Sequence, residues 1–208
     1  ISIFIVAVFA VVIIDRNPLP DFSHYTQVKE KKSAFFDYIL PLVKQSNQLV
    51  IKDRKQLEVL LDNVDDLSFF EQLELDELAE DYYIDRENRS DLQIIEQLLL
   101  RVDPVPPSLA LAQAAIESAW GTSRFAVQGN NLFGQWCYKK GCGLVPLQRN
   151  SGSHQEVAKF ATVSESVESY IRNINTHRAY TDLRVARASL RSEENSASGY
   201  QLAENLLE

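Results

Sequence analysis

The sequence predicts a mostly helical α+β fold. Three observations carry that expectation. Apolar residues recur at helical spacing along most of the chain. One pair of short alternating runs flanks a turn-forming NSGS stretch, and an aromatic, loop-rich segment with two cysteines separates the two patterns.

The first 14 residues, ISIFIVAVFAVVII, are apolar except for Ser2. A bilayer span takes roughly 20 such residues. The chain has no methionine, so it reads as a piece of a longer protein with a truncated membrane anchor or signal segment over 1–14. No small-residue cleavage site follows, which favours an uncleaved anchor over a removed signal. The proline-containing stretch over 15–27 reads as a linker.

Residues 28–102 read as a helical N-terminal region. Val28, Phe35, Phe36, Ile39, Leu42 and Val43 form a first stripe, with a kink expected at Pro41. Leu57, Leu60, Leu61, Val64 and Leu67 form a second. A third helix is expected over Leu73–Ile84, and a fourth across SDLQIIEQLLLRV. DPVPP, at 103–107, ends this pattern. Residues 103–208 then form a separate region. Ser108 is the expected N-cap of a helix over Leu109–Trp120, with Gly121 just beyond its end. LVPLQRNSGSHQEVAKFA reads as a β-hairpin. Thr162 and Glu165 form a capping box for a helix carrying Val167, Tyr170, Ile171 and Ile174.

Composition narrows the function. The chain is 45% hydrophobic and 24% charged, ordinary for a globular protein, with a net charge of −8. Residues 53–103 hold 16 acidic and 5 basic side chains, an excess of −11; residues 104–208 hold 9 and 10. No basic footprint for nucleic acid exists, and the acidic block is read as a solvated helix face. Cys137 and Cys142 lie in WCYKKGC, where Gly141 permits a tight turn. A disulfide needs its α carbons within about 7 Å, and the short loop supplies that. The membrane-entry segment implies an oxidising compartment, so a Cys137–Cys142 bridge is expected. With His24, His154 and His177 scattered, no metal site and no cofactor are expected.

The chemistry concentrates in AQAAIESAWGTSRFAVQGNNLFG, from Ala112 to Gly134. Glu117 stands alone on a small, apolar and aromatic helix surface, in the last turn. Poor solvation and the helix dipole there both favour the protonated carboxyl that general acid catalysis needs.

This stretch resembles the catalytic core of the glucosaminidase family, glycoside hydrolase family seventy-three, whose members cleave bacterial peptidoglycan. FFDYILPLV, WCYKKGCGLVP and HQEVAKFATVSESVESYIRNINTHRAY extend the likeness over residues 29–208, toward the Bax-type members of Gram-negative bacteria. The resemblance implies a lysozyme-like domain over 103–208 with Glu117 as catalytic acid. Asn131, Leu132, Phe133 and Gly134 match the turn that lines the cleft, where the Asn131 amide could bind an N-acetyl group. Trp136 could stack on a sugar, and Trp120 is read as core. Tyr180 matches a recurring active-site tyrosine.

The second carboxylate is the departure. Some relatives carry a glutamate on the first hairpin strand; LVPLQRN has none. Glu156, on the second strand, is the substitute expected to contribute. A substrate-assisted route through the sugar's acetamido oxygen needs no second carboxylate. The resulting reading is a periplasmic, membrane-anchored β-N-acetylglucosaminidase whose partner is the peptidoglycan glycan strand. Its rivals are a lytic transglycosylase and a non-catalytic peptidoglycan-binding module.

Overall fold

The computed structural model describes residues 18–147, 152, 154–193 and 197–206. The expected anchor over 1–14 lies outside them. Among the described residues, no helix is long and apolar enough to cross a membrane.

A long helix, α1 (Val28–Asp62), is the spine. Its stripe of Phe35, Ile39, Leu42, Val43, Val50, Leu57 and Leu60 is buried from end to end. The first predicted stripe and Leu57, Leu60 and Leu61 of the second therefore share one helix, which stays helical through Pro41, while Val64 and Leu67 lie beyond its end. A continuous apolar face outweighs the one N–H that proline removes. The stretch read as a linker carries an anchor: Phe22 is buried against Phe35 and Tyr38.

Helices α2 (Phe69–Asp81) and α3 (Asp91–Arg101) come next, each opened by a serine capping box, Ser68 with Glu71 and Ser90 with Gln93. They pack on each other and on α1. α2 starts four residues before the apolar stripe that predicts it, because Ser68 caps it there.

DPVPP is latched rather than loose. Asn47 of α1 donates to the Val105 carbonyl at 2.7 Å and accepts from its N–H at 2.9 Å. Asp103 is buried and ion-paired with Arg187 and Arg191. This latch fixes the start of α4 (Pro107–Glu117), whose first residue is proline, where the missing N–H costs nothing. The predicted Ser108 cap is thus displaced by Pro106 and Pro107.

After α5 (Arg124–Gly129) comes a small sheet of β1 (Trp136–Cys137), β2 (Gly143–Leu144) and β3 (Glu156–Ala158), in the order β1-β3-β2. Both pairings are antiparallel, with Trp136 opposite Val157 and Leu144 also opposite Val157. The predicted hairpin corresponds to β2 and β3, although its first strand is only two residues long. β1 was not legible, since two residues in a loop-rich stretch show no alternation. Helices α6 (Val163–Thr176), α7 (Thr181–Ser192) and α8 (Gly199–Ala203) complete the chain. One hydrophobic core runs from Phe22 to Leu202, so α1 packs directly on α4 and α6.

Candidate active site

α4 buries Leu109, Ala110, Ala114 and Ala115 and ends at Glu117, three residues earlier than the sequence predicts. The cause is a turn of three consecutive left-handed residues: Ala119 (φ 52°), Trp120 (φ 59°) and Gly121 (φ 75°). Trp120 N–H reaches back to the Ala115 carbonyl at 2.9 Å and Ala119 N–H to Ile116 at 3.3 Å, the Schellman pattern. Ser118, fully buried, donates to the Ala114 carbonyl and accepts from the Gly121 N–H. Trp120 packs edge-on against Phe35 and Phe36, with the Lys32 ammonium over its ring. That bears out its reading as a core side chain. Gly121 has no alternative: a β carbon there would lie 2.5 Å from the Phe22 ring.

Glu117 itself is exposed, so the expectation of a poorly solvated carboxyl is not met. What the structure gives it is neighbours. The backbone of Gly134 (φ 63°) lies so close that a β carbon would sit 3.1 Å from Glu117 Oε2. Tyr180 is close enough to feel its charge. Burial, and then the Glu117 carboxylate, push the Tyr180 phenol up from its ordinary value. The hydroxyl therefore keeps its proton throughout the neutral range.

Gly134 and Tyr180 both line a cleft of about 900 Å³. Its lining includes the aromatic Trp136 and Tyr138 and the polar Ser169, Arg172, Asn173 and Thr176 of α6. Phe133 stacks flat on Tyr170, ring centres 4.0 Å apart. The Tyr170 hydroxyl is buried without a hydrogen-bond partner among the described residues, and burial raises its pKa strongly.

The chain matches the family model for glucosaminidase, described as mannosyl-glycoprotein endo-beta-N-acetylglucosaminidase, over residues 93–205. It is also similar to Protein bax of Escherichia coli (strain K12). The two are 32% identical over 190 residues, which cover 91% of this chain and 67% of that protein. The chain belongs to the glucosaminidase family. Comparison with solved structures gave no match. Membership supports a glycosidase role related to peptidoglycan.

The predicted site residues divide. Glu117, Gly134 and Tyr180 come together, and Phe133 and Trp136 join them on the lining. Asn131 does not present its amide to the cleft. It is buried and donates to the Gln135 and Ala158 carbonyls, while its oxygen accepts from the N–H groups of Phe133 and Gln135. Its task is to hold the turn that brings Gly134 to Glu117.

Glu156 also stands apart from the cleft lining. It is buried, and its two oxygens accept from the Gly141 and Gly143 N–H groups at 3.1 and 2.9 Å. Gly141 lies in the loop closed by the expected Cys137–Cys142 disulfide, which is present with its α carbons 6.2 Å apart, and Gly143 directly follows Cys142 at the start of β2. Among the described residues, the one cluster of metal-type side chains is this trio of Cys137, Cys142 and Glu156. The disulfide occupies both sulfurs, so the trio offers no thiolate.

Sequence reasoning missed Tyr83, Tyr138, Ser169 and Arg172 of the cleft lining. Ser169 and Arg172 sit at helical spacing opposite the α6 core stripe, and that polar face was the available signal.

Proposed function

We propose that this protein hydrolyses peptidoglycan glycan strands as a β-N-acetylglucosaminidase, with Glu117 as general acid. The observation that carries the reading is the position of Glu117. It is the last residue of α4, against the Gly134 backbone of an aromatic-lined cleft, and its charge reaches the protonated Tyr180 phenol on the same lining. A sugar bound there would cover the exposed carboxyl and remove its water, favouring the protonated form.

Glu117 then gives its proton to the glycosidic oxygen as the bond to the anomeric carbon breaks. With both Glu156 oxygens held by backbone amides, the acetamido oxygen of the substrate is the better-placed nucleophile, and Tyr180 steadies that group. Water opens the resulting ring, and the proton it releases returns to Glu117. Atoms balance as one water added per bond cut. Glu156 acts in this reading as a clamp on the disulfide loop that carries Tyr138.

One observation keeps a second reading in view. The described lining of the cleft contains no carboxylate besides the adjacent Glu117. A lytic transglycosylase also works with one acid, but its anhydro product gains no water. Digesting purified peptidoglycan and weighing the fragments decides between them. A hydrated, reducing N-acetylglucosamine end supports hydrolysis, and an anhydro end overturns it.

A further inference from the structure

The N-terminal helices contribute a side chain to this cleft. Tyr83 lines it, although it precedes the stretch over 93–205 that defines the family. Its backbone is unusual. Beyond α2, Ile84 N–H bonds to the Ala79 carbonyl at 2.7 Å and Tyr83 N–H to Glu80 at 3.1 Å. That places Tyr83 at the left-handed position where glycine is the default, with φ 55°.

A bulky residue is strained at such a site and persists only where the surroundings hold it there. Here Arg101 donates to the Tyr82 and Tyr83 carbonyls, and Arg172 to that of Asp81. Buried Ile84 closes the turn from below. The Tyr83 ring takes no part in this scaffold: it is 65% exposed and adds nothing to the core. The turn gains no stability from tyrosine, so the ring has another use. Facing a cleft whose other exposed aromatics are Trp136 and Tyr138, it offers a flat apolar face with a polar tip, suited to a pyranose ring.

We propose that Tyr83 is a sugar-stacking residue of the glycan cleft, supplied by the N-terminal helices, that binds one N-acetylhexosamine of the strand. This rests on the functional reading above. The test compares wild type, Tyr83→Gly and Tyr83→Phe on soluble glycan strands, with KM, kcat and Tm measured for each. Tyr83→Gly should raise KM about tenfold, leave kcat within about twofold, and hold or raise Tm. Tyr83→Phe should keep KM near wild type. An unchanged KM in Tyr83→Gly overturns the inference, as does a rise in KM accompanied by a fall in Tm. A wild-type protein that leaves the strands uncut overturns the functional reading instead, a result distinct from either.

Discussion

The ends of α2 and α4 share one backbone design and differ in how far it is extended. Both close with the same pair of reversed hydrogen bonds, and both place a residue other than glycine in the left-handed region. After α2 the excursion is a single residue, Tyr83, and the chain turns straight back to buried Ile84. After α4 it lasts three residues, Ala119 to Gly121. The longer turn stops the helix at Glu117 and sinks Trp120 against Phe35 and Phe36. Strain at α4 therefore positions a neighbour, the carboxylate, whereas strain at α2 presents the strained residue itself. The two helix ends are vulnerable in different places. α4 depends on the packing of its turn, and α2 on the arginines that grip its carbonyls.

The most damaging change is one that disrupts the α4 turn. Gly121→Ala drives a β carbon into the Phe22 ring at a positive φ, and thermal unfolding should show a loss on the order of 2–4 kcal/mol. If Tm stays within a degree of wild type, the turn is softer than the contacts imply.

A milder change separates positioning from chemistry at the same helix end. Tyr180→Phe removes only the hydroxyl beside Glu117, so kcat/KM on glycan should fall about tenfold while Tm is nearly unchanged. Equal rates in the two proteins would remove Tyr180 from the mechanism.

The mildest change probes the likeness of the two ends. Ala119 holds a glycine position, so Ala119→Gly should stabilise by up to about 1 kcal/mol, read from denaturant midpoints, with the cleavage rate retained. A clear loss of stability would mean that the Ala119 methyl packs more tightly than its exposure shows.

Much of this was legible in the sequence, for identifiable reasons. The helices of the N-terminal region come from apolar periodicity, and the helix that ends at Glu117 from its alanine-rich run. The disulfide comes from a short loop with a glycine. Three readings differ from the structure for physical reasons. The end of α4 was misplaced because Gly121 looks like the terminating residue, while Ala119 and Trp120 adopt left-handed geometry only under tertiary packing. Asn131 looked like a ligand because its amide chemistry suits an acetamido group; only the fold shows that four backbone groups occupy it. Glu156 looked like a missing base, and its hydrogen bonds to Gly141 and Gly143 depend on a loop conformation that no local pattern encodes.

The role proposed for the whole cleft depends on Glu117 being the acid that cuts the glycan strand. Glu117→Gln keeps the shape of an exposed side chain and removes its titrating proton, so the fold should survive. The decisive measurement is the rate at which purified peptidoglycan releases hydrated reducing-end fragments, beside a thermal melt of the same protein. General acid catalysis contributes roughly 10²–10⁴-fold, so the rate should fall by at least the lower figure while the melt matches wild type. A Glu117→Gln protein that melts normally and still releases those fragments at near the wild-type rate would contradict that role.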